Sequence, residues 1–241
     1  MTERTRFTER PEDTMKTTLV VCESPWTERD RRLAPWSMRP FVEGIAELYG
    51  ARLVYRTFTG GPELRRLLEG EAFDGPGQRF LIYIACHGYG GRLTPGRRPD
   101  SGVNLAPIAR ALCQGVESVW LGACDVGGSN ALHDFLAESG AVWAGGYRCS
   151  VNWDASLLLD MAVLQELLKS GPRKTRTGVV RALKQAMKGF DPRWVIGSNA
   201  KGGGVSLRDA LRVVARDRVR GARPQDVSSD LLRALRWSNS W

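Results

Sequence analysis

Histidine is scarce in this chain, with only His87 and His133 among 241 residues. Five cysteines (Cys22, Cys86, Cys113, Cys124 and Cys149) are scattered with no Cys-x-x-Cys pair. Four zinc ligands at recognisable spacing cannot be assembled from that set, so a structural zinc site is excluded as an expectation. An odd number of widely spaced cysteines fits a reducing compartment better than a disulfide framework. No apolar run approaches the roughly 18 residues that span a bilayer, and charged residues 1–16 are not followed by an apolar stretch of signal-peptide type, so the expected location is cytoplasmic, with no membrane partner. There is no Gly-x-Ser-x-Gly elbow, which disfavours a serine hydrolase. Internal repeats are absent, and the one low-complexity stretch is Gly202-Gly203-Gly204.

Hydrophobic residues make up 42% of the chain, enough for one sizeable core. The formal net charge of +9 is unevenly spread. Residues 173–241 hold 16 Lys+Arg against 5 Asp+Glu, a net +11, and the remainder holds 19 against 21, a net −2. Such a basic end reads first as solvated faces of amphipathic helices; contact with phosphates or an acidic partner is the second reading.

Short runs rich in β-branched and aromatic residues occur at 18–22, 51–58, 80–86, 118–123 and 141–147, and each predicts a strand. Between them, apolar residues recur at helical spacing, as in Phe41, Ile45 and Leu48, or Leu132, Phe135 and Leu136. Strands that are apolar at nearly every position, like Leu81-Ile82-Tyr83-Ile84-Ala85, suit a mostly parallel sheet covered on both faces, so the fold class is α/β. Two further helices are expected over 154–169 and 178–188, and a short strand at 194–196 closing a sheet of about six strands. Helices are also expected over 206–219 and 225–237. The organisation read from this is an arm over 1–15, a domain over 16–200, and a basic helical C-terminal segment over 201–241 packed on or trailing it.

Parallel α/β sheets bind ligands outside the carboxyl ends of their strands. There the third strand runs out into His87-Gly88 and the fourth into Ala123-Cys124-Asp125, with glycines behind both. Neighbouring strands would bring a histidine and a cysteine to one rim, the arrangement that nucleophilic catalysis uses. A thiol of ordinary pKa is mostly protonated at neutral pH, so it needs a base, and His87 supplies one. A helix opening near Gly128 would add a positive terminus. The N–H groups of Gly88 and Cys124 are candidates for an oxyanion hole.

A hydrophobic strand ending in His-Gly, then a second ending in Ala-Cys with glycines after it, resembles the caspase-like clan of cysteine peptidases. Val119-Trp120-Leu121-Gly122-Ala123-Cys124-Asp125 and the following Ser139-Gly140-Ala141-Val142-Trp143-Ala144-Gly145 are most similar to its bacterial CHAT proteases, although residue 122 is Gly where those commonly carry Ser. The similarity covers roughly 17–171. It implies a caspase-like sheet, a His87–Cys124 dyad and hydrolysis of peptide bonds in a protein substrate, with no metal or organic cofactor. It implies further that Asp154 could hold a basic side chain ahead of the cleaved bond; as a helix N-cap, Asp154 has an equal claim. Asp125 is a second candidate for substrate binding. Small bacterial members act on pore-forming gasdermins or serve antiviral defence, so a partner of that kind is an expectation, as is an activating partner. Two other readings stay open: a catalytically weak scaffold, and a nucleic-acid-associated effector using the basic segment. Cys86, one residue from His87, should point to the opposite face and into the core, and His133 should be a helix-surface residue.

Overall fold

The computed structural model describes residues 17–26, 36–70, 78–97, 102–112, 115–219 and 221–233. The arm over 1–15, Cys113, Trp237 and Trp241 fall outside these. In chain order the first half holds β1 (Thr17–Glu23), α1 (Arg39–Leu48), β2 (Arg52–Thr57), α2 (Gly61–Glu69), β3 (Arg79–Ala85), β4 (Gly88–Tyr89), β5 (Arg92–Leu93), α3 (Leu105–Ala111) and β6 (Val116–Gly122). There follow α4 (Ala131–Glu138), β7 (Trp143–Tyr147), β8 (Ser150–Val151), α5 (Trp153–Lys169) and α6 (Arg176–Ala186). The last elements are β9 (Val195–Ser198), β10 (Gly204–Ser206), α7 (Leu207–Ala210), β11 (Leu211–Ala215), β12 (Gln225–Asp226) and α8 (Ser228–Arg233).

A seven-stranded sheet in the order β12-β11-β7-β6-β3-β1-β2 divides the molecule, with β2, β1, β3, β6 and β7 parallel and β11 and β12 antiparallel. Period-two alternation assigns each strand residue to one of two apolar layers. Along β3, Leu81, Tyr83 and Ala85 join one layer with α1, α5, α6 and α8, and Phe80, Ile82, Ile84 and Cys86 join the other with α2, α3 and α4. Cys86 is accordingly buried. At the strand starts a buried ion pair ties β3 to β6: Arg79 Nε donates to Glu117 at 2.7 Å and Nη2 at 2.8 Å. Arg79 also donates to the carbonyls of Leu167 and Ser170, both at 2.9 Å, which fixes the last turn of α5 there.

Beneath α5 the carboxylate of Asp160 is buried against the sheet. It accepts hydrogen bonds from Tyr83 Oη at 2.7 Å, Tyr147 Oη at 2.5 Å and Trp120 Nε1 at 2.5 Å. Burial pushes its pKa up to about 6 despite those three donors. Two strand glycines make this layer possible. A Cβ on Gly122 would lie 2.5 Å from Tyr83 Oη, and one on Gly145 would lie 2.4 Å from the Trp120 ring. Gly at 122 is thus the counterpart of Tyr83.

Two expectations are corrected. Residues 206–219 are not a helix: one helical turn gives way to β11, whose buried Leu211, Val213 and Ala215 face one layer and Val214 the other. Leu207, Leu211 and Val214 also satisfy helical spacing, so the window is ambiguous by period, and pairing with β7 decides it. The strand expected at 194–196 exists as β9 but does not close the main sheet; it forms a separate antiparallel sheet, β10-β9-β8. The main sheet gains β11 and β12 instead.

Candidate active site

The rim is built where the parallel strands end. β3 and β6 are adjacent and in register, with Ala85 opposite Gly122. His87 and Cys124 therefore stand the same two residues beyond a paired position. The chain after His87 presses directly on Cys124: a Cβ on Gly88 would lie 2.1 Å from the Cys124 carbonyl oxygen. Only glycine allows this approach. Gly88 and Tyr89 open a tight hairpin with β5, turned by Gly90 (φ 57°) and Gly91 (φ 79°), two consecutive left-handed residues of the kind a two-residue hairpin turn uses.

His87 is half-buried and held from two sides. Its carbonyl accepts the Thr94 N–H at 2.8 Å. Its Nε2 lies 3.1 Å from the Trp26 carbonyl. A carbonyl only accepts, so Nε2 carries the proton and Nδ1 is the acceptor nitrogen of the neutral ring. The Trp26 indole stands edge-on to the imidazole with centroids 5.0 Å apart. Trp26 is itself tethered through Nε1 to Glu23 at 2.9 Å. Glu23 ends β1 on the same rim, is buried, and also accepts from Ser37 Oγ at 2.9 Å, Met38 N–H at 3.0 Å and Tyr55 Oη. One carboxylate thus gathers the loop after β1, the start of α1 and β2.

Cys124 is partly exposed and unbridged. Its sulfur accepts the Val151 N–H at 3.3 Å and lies 3.9 Å from Ser150 Oγ. The residue after it, Asp125, has φ 63°, the one positive φ outside glycine among the described residues. A left-handed non-glycine residue costs of order 1 kcal/mol and marks a turn fixed by its surroundings. Here Asp125 N–H donates to the Cys149 carbonyl at 3.1 Å and its own carbonyl accepts from Gly128 N–H at 3.2 Å. Arg212 of β11 reaches in to donate to the carbonyls of Gly127 at 3.1 Å and Ser129 at 2.6 Å. The helix expected near Gly128 begins at Ala131, beyond this turn. The N–H facing it comes from Val151.

Asp154 is exposed in the first turn of α5, whose N-cap is Asn152, and its Oδ1 accepts from Ala155 N–H at 2.9 Å. It is therefore not the N-cap. Asp125 is half-buried beside Cys124. Near the start of α5, Trp153 meets Trp36 and Phe41 edge-on at 5.3 and 6.3 Å, and the latter two are 49% and 43% exposed, an apolar wall on the rim. His133 lies on α4, with Nε2 at 3.2 Å from the Pro224 carbonyl. Among the described residues no group of three or more His, Cys, Asp or Glu side chains could hold a metal ion, and no helix is long and apolar enough to cross a membrane.

Sequence reasoning missed Glu23, Trp26, Val151 and Arg212. Glu23 left a trace, a single acid ending an apolar strand. Trp26 and Val151 act through backbone atoms and leave none.

This architecture is the caspase-like fold. It is shared with a secreted C11 cysteine protease from Bacteroides thetaiotaomicron, solved in complex with an irreversible peptide inhibitor, at TM-score 0.51 and 11% identity over 90% of this chain and 67% of that one. A second structure of that protease superposes at TM-score 0.52 and 10% identity over 84% and 67%. Caspase-1 from Spodoptera frugiperda gives TM-score 0.50 and 11% identity over 84% and 87%. No protein-family model matches the chain, and no curated protein is similar to it in sequence.

Proposed function

We propose that this protein is a cysteine endopeptidase with Cys124 as nucleophile and His87 as general base and acid. The observation that carries the reading is the register of β3 and β6, which ends two adjacent strands two residues before His87 and Cys124 on one rim of a fold found in cysteine proteases. The Trp26 carbonyl fixes the tautomer in which Nδ1 takes the thiol proton. The sulfur then attacks the scissile carbonyl, and the resulting oxyanion is met by the N–H groups of Gly88 and Cys124. His87 returns its proton to the leaving amine as the C–N bond breaks, leaving a thioester on Cys124. Water, deprotonated by His87, hydrolyses the thioester and restores the thiol. Val151 N–H supports negative charge on the sulfur at either end of the cycle.

The substrate is a protein segment bound extended along the rim, with Asp154 and Asp125 favouring a basic side chain before the cleaved bond and the Trp36–Trp153–Phe41 wall taking apolar groups. A cytoplasmic setting with a gasdermin-like target in defence is the biological form of this proposal. The test is labelling with acyloxymethyl-ketone peptides ending in Arg, Lys, Leu or Asp. Arg and Lys probes should label fastest, Cys124→Ala should abolish labelling, and Asp154→Asn should reduce the preference for Arg at least fivefold. Labelling that survives in Cys124→Ala would sink the assignment.

A further inference from the structure

The end of the sheet opposite the candidate active site gathers positive charge from segments distant in sequence. α5 runs back from the rim, and its last turn is fixed at the strand starts by Arg79. The connection to α6 then passes through Arg173 and Lys174 to Arg176, the first residue of α6. β11 runs antiparallel to β7 and ends with Ala215 opposite Trp143, at that same end, before the stretch Arg216, Arg218 and Arg223. The two segments are stitched together. Arg218 N–H donates to the Lys174 carbonyl at 2.8 Å, and Arg176 N–H donates to Asp217 Oδ1 at 2.8 Å. Arg216 is anchored by its Nε to the Ala141 carbonyl at 2.9 Å.

These anchors hold the cations on a rigid base. Lys169, Lys174, Arg218 and Arg223 are exposed around them. Of the acids nearby, Glu166 lies 3.9 Å from Arg173 and Asp217 is engaged by Arg176, so both are already committed. The crowding has an electrostatic signature: burial together with Arg218 lowers the pKa of Arg216, and burial together with Arg79 lowers that of Arg173. Like charges held this close gain most from an anion that spans them. β6 has seven residues, which places this face about 20 Å from Cys124.

We propose that this basic face binds the phosphate backbone of duplex nucleic acid, independently of base sequence. Arg218 and Arg223 present exposed guanidinium groups, which match phosphate in a bidentate fork, and Lys169 and Lys174 add point charges beside them. No aromatic ring of the described residues belongs to these two segments, so stacking on single-stranded bases is not on offer, and the dense charge of a duplex is the better fit. The binding face and the candidate active site lie at opposite ends of the strands, so a bound duplex leaves the rim open.

The test uses the full chain carrying Cys124→Ala and a fluorescent 20-base-pair duplex of mixed sequence, read by anisotropy, which makes it independent of peptidase activity. Four phosphate contacts predict a log–log salt slope between about −3 and −4, or roughly a 100-fold loss of affinity from 50 to 200 mM salt. The Lys174→Glu/Arg218→Glu pair should weaken binding at least tenfold. Arg65→Glu/Arg92→Glu, the same charge change at exposed positions elsewhere, should change it less than twofold. Each variant's thermal midpoint reports folding. The proposal is overturned if the duplex does not bind, if both pairs weaken it equally, or if phosphatidylserine vesicles capture the protein while the duplex does not.

Discussion

Gly88 meets a strict steric demand on the rim, because it packs on the carbonyl of the candidate nucleophile. Gly88→Ala would place a methyl group 2.1 Å from that oxygen, so the backbone must give way on one side or the other. Overpacking of this kind costs typically 1–3 kcal/mol. The displaced atoms are those proposed to meet the oxyanion, so labelling of Cys124 should slow at least tenfold. Gly90→Ala in the same hairpin supplies the contrast. Its φ of 57° costs an alanine about 1 kcal/mol, but nothing lies within 4 Å of its Cβ, and labelling should hold within twofold. Equal slowing in both variants would count against a role for the Gly88–Cys124 contact. His87 and Cys124 stand out in the chain as candidates because each is a reactive side chain following an apolar run, with Gly88 next to the first and Gly122 two residues before the second. The features that orient them could not, since a carbonyl at Trp26 and an amide at Val151 belong to every residue type alike.

Elements were legible where one hydrophobic period was clean and ambiguous where two coincided. β1, β3 and β6 each carry an unbroken apolar run, and 154–169 repeats with helical spacing over four turns, so these stood out. Residues 207–215 satisfied both periods, and over 211–215 the strand form wins by adding backbone hydrogen bonds to β7 and burying Val213 and Val214 on opposite faces. That outcome matters for the site, because only as a strand does this segment direct Arg212 to the turn after Cys124. Hydrogen bonds from a charged donor are worth about 1.5–3 kcal/mol. Arg212→Ala should therefore lower unfolding free energy by about that amount in urea. It should also slow Cys124 labelling severalfold, because the turn loses its tethers at Gly127 and Ser129. Lost stability with unchanged labelling would make Arg212 a structural residue alone.

At the scale of the whole molecule, the contact between the sheet and α5 uses two very different polar solutions. The strand starts use a paired charge, Arg79 with Glu117, whereas the layer under α5 holds the single carboxylate of Asp160 among three neutral donors. Burial raises the folded-state pKa of Asp160 to about 6 from a reference value of 3.8. A raised carboxylate pKa means the fold prefers the protonated form. Its contribution to stability is fully present below about pH 4, falls as the unfolded chain ionises while the folded one does not, and is lost by about pH 6. A gap of about two units corresponds to roughly 3 kcal/mol. Other carboxylates titrate over the same range, so the contribution shows as a difference between two proteins. Asp160→Asn keeps an oxygen to accept from Trp120 and Tyr147 and an amide to face the Tyr83 hydroxyl, and it does not titrate. Urea unfolding of both proteins from pH 4 to pH 7 should therefore show the variant gaining on the native chain by about 3 kcal/mol as pH rises, with the change complete near pH 6. Parallel curves across that range would mean that Asp160 ionises in the folded protein as it does in the unfolded chain, and that its three donors offset the cost of burial.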